Sequence, residues 1–410
     1  MKYGLIGEHL SHSFSPVIHS MLADYKYELR EIAPDDLDAF IKARDFDGIN
    51  VTIPYKQRVI PYLDYIDESA RAIGAVNTVV NRGGRLYGYN TDFYGMTMLF
   101  AHAGVDPRGK KAAILGSGAT SKTAVAVLAS LGAKEILRVS RSGNEGAITY
   151  GELTERHSDT QIIVNTTPVG MFPDIYGLAL DISAFPDLSG VIDAVYNPLR
   201  TPLVSEALAK GIRAEGGLYM LVAQGVRASE IFLDKEYPDG TLERIYGNIL
   251  RRKENIVLIG MPASGKSTVG RLLQRRLGRD FIDTDSLIAE KSGMEIKDIF
   301  EKYGEAEFRR LEAEAIKEIA PRNSCIIATG GGAILREENV RALKQNGRLF
   351  FLDRPLEMLI PTESRPLSSD REAIAKRFEE RYDIYCSVCD ERIVSKHSAR
   401  HTTDVITEIL

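Results

Sequence analysis

The chain of 410 residues contains no tryptophan and only three cysteines, Cys325, Cys386 and Cys389. Three thiols cannot staple a fold this long, so its stability has to come from buried apolar cores. Cys386 and Cys389 form a C-x-x-C, but no second Cys or His pair stands near it. Two helix-borne thiols in a reducing compartment is therefore the expected reading, ahead of a structural zinc. Long hydrophobic runs are missing as well. None approaches the ~18–20 residues that span a bilayer, and the apolar stretch around residues 124–133 reads as an ordinary buried helix. The opening MKYGLIGEHLSHS lacks a basic start followed by an apolar segment, which argues against secretion. Neither sign of charge is in large excess: residues 1–253 hold 27 Lys+Arg against 30 Asp+Glu, and residues 254–410 hold 25 against 27. Nucleic acid and anionic membranes are thus not expected partners. A cytoplasmic protein is expected, and a homo-oligomer is left open.

The length sets a soft expectation of two to three domains. Two glycine-rich loops of phosphate-binding type stand far apart, GSGATSKT at 116–123 and GMPASGKST at 260–268. Each follows an apolar run (Lys111–Leu115, Ile256–Ile259) and precedes a helix-like one (Thr123–Leu131, Val269–Leu277), so each opens a βαβ unit. The charged stretch 242–254 between them reads as turn-rich and as the boundary. The predicted fold is α/β throughout. Its first part is a module of two sub-domains, residues 1–95 plus about 220–250, and a Rossmann-like 96–219. A P-loop domain with a parallel sheet follows over 254–410. Strands are expected at Tyr3–Gly7, Tyr27–Ile32 and Gly48–Ile53, then at Ala112–Leu115, Glu135–Ser140, Ile162–Asn165 and Val191–Ala194. In the last domain they are expected at Ile256–Ile259, Phe281–Asp283, Cys325–Ala328 and Leu349–Leu352.

A lone G-x-G is weak evidence, but Gly116 and Gly118 let backbone approach a pyrophosphate at a helix N-terminus. The residues after the next strand are more informative. A site for NAD would place Asp or Glu there to accept from the ribose hydroxyl. Ser140-Arg141-Ser142 instead offers a cation and two hydroxyls, which suits the 2′-phosphate of NADP.

Upstream lies a set of polar motifs. Ser13 and Ser15 alternate, which in an extended stretch puts both hydroxyls on one side. Asn50, Thr52 and Lys56 end a strand, and Asn77-Thr78 and Asn90-Thr91-Asp92 follow. Turn chemistry or capping explains any one of these singly. Together they suit a small polyol, whose hydroxyls need partners that both donate and accept, and a Lys near an Asp can exchange a proton with a reacting oxygen.

These motifs resemble the shikimate dehydrogenase family over nearly all of residues 1–250: S-x-S-P from Ser13, N-V-T-x-P-x-K from Asn50, G-A-x-N-T from Gly74 and N-T-D-x-x-G from Asn90. N-T-T-P-x-G-M from Asn165, Y-N-P-x-x-T-P-L from Tyr196 and G-G-x-x-M-L-V-x-Q from Gly216 continue the match. The resemblance implies a catalytic pair, Lys56 and Asp92. It implies substrate contacts from Ser13, Ser15, Asn50, Thr52, Asn77, Tyr196 and Gln224. NADPH contacts fall on Gly116, Ser117, Gly118, Ala119 and Thr120, on Ser140, Arg141 and Ser142, and on Ala194 and Gly217. Two departures stand out. The family's usual G-x-G-G-A is Gly116-Ser-Gly118-Ala119-Thr120 here, and its Asn-Arg-Thr is Ser140-Arg141-Ser142, with the arginine kept.

The second loop fits G-x-x-x-x-G-K-[ST] in full from Gly260 to Ser267. Its backbone N–H groups, with Ala263, Ser264, Gly265 and Thr268, would wrap the phosphates of ATP; Lys266 would bridge phosphoryl oxygens. Ser267 would ligate Mg2+, with Asp283 as a further acceptor. Phe281-Ile-Asp283-Thr-Asp285, Gly304-Glu-x-x-Phe308-Arg309 and Gly330-Gly331-Gly332 complete a resemblance of residues 254–410 to shikimate kinase. It implies that Asp285 takes the acceptor hydroxyl's proton, that Arg309, Gly331 and Arg381 bind shikimate, and that Arg365 is a lid arginine meeting ATP. Only residues 353–364 separate the preceding strand from Arg365, and Ser368 replaces a family leucine. So short a lid is a route to poor closure over ATP.

Taken together, these resemblances imply one chain with two consecutive activities, reduction of 3-dehydroshikimate and phosphorylation of the shikimate formed. Quinate oxidation in the first half, and a nucleotide-binding module without transfer activity in the second, are the rivals.

Overall fold

The structure, a computed structural model, describes residues 2–10, 14–144, 146–359 and 371–410. Contacts divide the chain into two compact units, Met1–Ile249 and Leu250–Leu410. Among the described residues no helix is long and apolar enough to cross a membrane.

The first unit holds two sheets. One has six strands in the order Tyr27–Glu31, Tyr3–Gly7, Gly48–Val51, Thr78–Arg82, Arg85–Tyr89 and Tyr65–Ile66. Its first three strands are parallel, and Thr78–Arg82 runs antiparallel to both neighbours. Three of the six were not expected from sequence. Thr78–Arg82 and Arg85–Tyr89 form a tight hairpin whose loop, Gly83-Gly84, takes positive φ at both residues (59° and 84°). Only glycine adopts that geometry at little cost, and it matches the twist of the flanking strands. The core beneath this sheet includes Ile6, Ile41, Ile49, Tyr55 and Val79, all fully buried. Burial of each such side chain contributes roughly 1.5–3 kcal/mol.

The second sheet is wholly parallel, in the order Arg213–Glu215, Gly190–Asp193, Ile162–Asn165, Lys111–Leu115 and Glu135–Val139. Lys111–Leu115 lies between the two strands that follow it in the chain. The direction of winding therefore reverses beside Gly116, which is where open α/β sheets bind ligands.

Two expectations are corrected here. Residues 14–15 are not extended: Ser15 opens the helix Ser15–Ser20, whose first turn accommodates Pro16 because its fixed φ is already helical. The stretch 242–254 is not a turn-rich linker. Residues 241–253 form the helix Thr241–Lys253, in which Leu242, Ile245 and Ile249 are buried at spacings of three and four, an apolar stripe that its many charges disguise. The division between the units falls within this helix.

The second unit wraps helices around a parallel sheet in the order Phe281–Asp283, Ile326–Ala328, Asn255–Ile259, Gly347–Asp353 and Glu391–Val394. The edge strand Glu391–Val394 carries three polar or exposed residues around one buried Ile393, too weak an apolar signal to be read in advance. The central strands are almost wholly buried and mainly apolar, with polar residues at their ends (Asn255, Arg348, Asp353), as expected of strands covered on both faces.

Candidate active sites

A cavity of about 440 Å³ in the first unit is lined from the six-stranded side by Ser15, Asn50, Thr52, Lys56, Asn77 and Asp92. From the parallel-sheet side come Thr120, Ala194, Tyr196 and Gly217, and the helix Leu218–Leu233 adds Gln224. Lys56 follows the strand Gly48–Val51, and Asp92 sits in the first turn of the helix Thr91–His102. That turn is fixed by Asn90, whose side-chain oxygen caps it by accepting from Phe93 N at 3.2 Å. Lys56 Nζ donates to Asp92 Oδ2 at 2.6 Å, and both side chains are about one-fifth exposed (21% and 18%). A charge-assisted pair of this geometry, open to the cavity and shielded behind, is able to move a proton to or from a ligand oxygen.

The amides around it are held by their oxygens. Asn77 Oδ1 accepts from Thr91 N at 2.7 Å, from Thr91 Oγ1 at 3.2 Å and from Thr78 Oγ1 at 3.1 Å, so its N–H2 is what it has to offer the cavity. Asn50 Oδ1 accepts from the Tyr27 hydroxyl at 2.7 Å, and its Nδ2 donates to Thr78 Oγ1 at 3.0 Å. Sequence reasoning missed Tyr27 and the buried His19 stacked on it at 3.9 Å. Both stand behind the cavity wall, where no motif spacing marks them. Of the apolar wall, Leu10 was equally unmarked, while Met220 and Leu221 stood in the motif from Gly216 without a role. Ser13 lies outside the described residues.

Gly116 to Ala119, and Ser140 to Ser142, do not line this cavity. They lie along the C-terminal ends of the parallel strands, the first group opening the helix Ala119–Ser130. A side chain at Gly116 would meet Thr166 Oγ1 at 2.8 Å, so backbone is all that fits at this turn. Arg141 is exposed. Asp193, fully buried, ties the neighbouring loops together: its carboxylate accepts from Asn165 Nδ2 at 3.0 Å, Val195 N at 2.9 Å and Thr201 Oγ1 at 2.7 Å. Burial pushes its carboxyl up to about 6, against the downward pull of those three donors.

In the second unit the loop before the helix Lys266–Leu277 folds around its own lysine. Buried Lys266 Nζ donates to the carbonyls of Gly260 and Met261, each at 2.8 Å. Ser267 Oγ donates to Asp283 Oδ2 at 2.6 Å, while Asp283 Oδ1 caps the next helix by accepting from Asp285 N at 3.1 Å. One carboxylate thus fixes both Ser267 and the start of the helix that carries Asp285. A hydroxyl and a carboxylate side by side suit Mg2+, which keeps most of its other positions for water and phosphate. Among the described residues no group of three or more His, Cys, Asp or Glu able to hold a metal occurs. Ser264 Oγ, also in the loop, is buried without a hydrogen-bond partner among them.

Arg309, Glu312, Asp285 and Arg381 converge beside Gly330 and Gly331. Arg309 donates to Glu312 Oε2 at 2.7 Å, and Arg381 donates to the Gly331 carbonyl at 3.0 Å, as does the Tyr385 hydroxyl. A methyl group at Gly330 would lie 2.6 Å from Glu312 Oε1 and 2.8 Å from Asp285 Oδ1, so glycine alone lets both carboxylates reach this point. Burial pushes the Glu312 carboxyl up although Arg309 opposes it, and burial draws the Arg381 guanidinium down. Arg365, and most of the lid segment it belongs to, lie outside the described residues.

A dinucleotide-type sheet facing a polar cavity with a Lys–Asp pair defines a dehydrogenase, and the second unit defines a P-loop phosphotransferase. The family model of the shikimate dehydrogenase substrate binding domain matches residues 5–79, and that of shikimate kinase matches residues 262–410. A shikimate dehydrogenase (NADP(+)) of Clostridium perfringens is 38% identical over 262 residues, covering 60% of this chain and 96% of its own. Among solved structures, shikimate dehydrogenase 1 from Peptoclostridium difficile is 37% identical, with a TM-score of 0.55 over 61% of this chain and 98% of that one. A shikimate 5-dehydrogenase from Thermus thermophilus, in complex with NADP(H) and shikimate, is 28% identical, with a TM-score of 0.54 over 60% and 99%. The chain belongs to the shikimate dehydrogenase family, and its second unit is a shikimate kinase domain.

Proposed function

We infer that the two units catalyse consecutive steps: NADPH-dependent reduction of 3-dehydroshikimate to shikimate, then ATP-dependent phosphorylation of shikimate to shikimate 3-phosphate. The observation that carries the first is the Lys56–Asp92 pair at 2.6 Å on the wall of a cavity that Ala194 and Gly217 also line. The one that carries the second is the lysine-centred loop within the same domain as the Asp285, Arg309 and Arg381 cluster. When bound, NADPH supplies a hydride and magnesium-ATP a phosphoryl group.

Lys56 gives a proton to the substrate's ketone oxygen, and Asp92 orients the ammonium and keeps it charged. Ser13, Ser15, Asn50, Thr52, Asn77, Tyr196 and Gln224 hold the ring's hydroxyls and carboxylate. The Gly116–Thr120 turn receives the pyrophosphate, Arg141 with Ser140 and Ser142 the 2′-phosphate, and Ala194 and Gly217 form the floor near the cavity. In the kinase domain Asp285 accepts the proton of the acceptor hydroxyl, while Arg309 and Arg381 take the carboxylate. Residues 263–268 and Arg365 hold the phosphates, and Ser267 with Asp283 holds the magnesium ion. We place both reactions in the cytoplasm, where the unbridged Cys325, Cys386 and Cys389 stay reduced.

The test is a single mixture of dehydroshikimate, NADPH, magnesium and ATP, with NADPH loss and ADP formation followed together. Both are expected. Failure to form shikimate phosphate from added shikimate and ATP would remove the kinase assignment.

A further inference from the structure

The acid in the Gly304-Glu-x-x-Phe308-Arg309 motif has no part in the roles given above, yet Glu305 touches the central guanidinium of the kinase cluster. Its Oε1 accepts from Arg309 Nε at 3.3 Å and from a terminal nitrogen of Arg309 at 3.0 Å. One oxygen therefore spans the whole side-on edge of the guanidinium, the edge with which arginine grips a carboxylate through two parallel bonds. The other terminal nitrogen donates to Glu312. The face is closed by backbone, because a side chain at Gly332 would run into the guanidinium itself.

Burial separates the two acids. The Glu312 side chain is fully buried, while that of Glu305 is 51% exposed. Withdrawal of Glu312 would leave a buried cation uncompensated, a costly change. Glu305 needs only a rotamer change into water to leave, and a half-exposed i,i+4 pair is worth little.

We propose that Glu305 is an internal competitor of the substrate: its carboxylate and that of shikimate take the same edge of Arg309, and substrate enters by displacing it. The proposal rests on the reading of Arg309 as a carboxylate ligand. Glu305 thereby sets the affinity for the acceptor, holding Arg309 extended at the expense of tighter binding.

The kinase reaction of the full chain, with shikimate varied at saturating magnesium-ATP, tests this in Glu305→Gln and Glu305→Ala. Removal of a competing partner of this exposure is expected to lower KM and the calorimetric Kd for shikimate by about two- to fivefold. The change should appear in KM and not in kcat. In an Arg309→Lys background, where the side-on edge is gone, the gain from Glu305→Gln should vanish. A raised KM, or lost turnover, in both Glu305 variants would make Glu305 an organiser of Arg309 and overturn the proposal. An unchanged KM would overturn it too. Arg309→Lys alone tests the underlying reading separately: that reading predicts a KM at least about tenfold higher, and an unaltered KM would dismiss Arg309 as the ligand.

Discussion

Lys56 and Asp92, which precede and follow the hairpin Thr78–Tyr89 in the chain, meet in the fold: Nζ lies 2.6 Å from Oδ2, although 36 residues separate them. Neither can be replaced without leaving the other facing the cavity without its partner. Lys56→Ala and Asp92→Asn are each expected to lower kcat for dehydroshikimate reduction by roughly 10²–10⁴. Shikimate phosphorylation by the same preparations should be unaffected, since it belongs to the second compact unit, and an unchanged circular dichroism spectrum separates a catalytic loss from misfolding of the first. A Lys56→Ala variant that reduces dehydroshikimate at the parental rate would sink the pair.

Cofactor choice should rest on one exposed arginine. Arg141 follows the strand Glu135–Val139, where an acidic residue would favour NAD. Replacing it with Ala is expected to raise KM for NADPH by about tenfold or more, and to leave KM for NADH nearly unchanged. Equal effects on both cofactors would place Arg141 outside the 2′-phosphate site.

The floor of the cavity is tested by a single methyl group. Gly217 N donates to Val195 O at 2.8 Å, and a Cβ at Gly217 would collide with the backbone carbonyl of Ala194. Backbone cannot step aside as a side chain can, so Gly217→Ala must shift the loop that Asp193 holds. An overpacking cost of about 1–3 kcal/mol is expected. KM for NADP+ should rise more than KM for shikimate, measured in the oxidative direction.

Much of this was legible in advance because the relevant residues sit where chemistry restricts the choice. Glycine loops after apolar strands announced both nucleotide-type folds, and clustered Asn, Thr, Lys and Asp announced the polar cavity. The parts that were not legible depend on contacts distant in sequence. The hairpin Thr78–Arg82 and Arg85–Tyr89 was hidden because its first strand begins inside a polar motif, although Gly83-Gly84 was a usable turn signal. Helix Thr241–Lys253 was hidden by its charges, which outnumber the three apolar residues that anchor it. Tyr27 was legible only as the start of a strand: it matters to the site because folding brings its hydroxyl to Asn50, 23 residues away. The two bonds of Glu305 to Arg309 were likewise invisible, since the same i,i+4 spacing occurs on any solvated helix.

His19 supplies the last expectation, a pH dependence with a definite sign. The imidazole is fully buried, stacked on Tyr27 and hydrogen-bonded through Nδ1 to the Tyr25 hydroxyl, which in turn donates to Ser229 at 2.8 Å. Burial holds its pKa down to about 3, with Asn50 pulling weakly the other way. In the unfolded chain the group titrates near 6.5. Above that pH it is neutral in both states, and its neutrality costs nothing. As pH falls below 6.5 the unfolded chain takes up a proton that the folded chain refuses, so stability is lost progressively until about pH 3. Between pH 6.5 and 4.5 the loss should reach ~2–3 kcal/mol from this group alone. The check is the urea concentration that abolishes dehydrogenase activity, measured at pH 7 and at pH 4.5 for the parent and for His19→Phe. The variant is less stable than the parent at pH 7, having lost the bond to Tyr25, but its midpoint should fall less on acidification. Equal falls in the two proteins would mean that His19 is protonated within the fold, contrary to its burial.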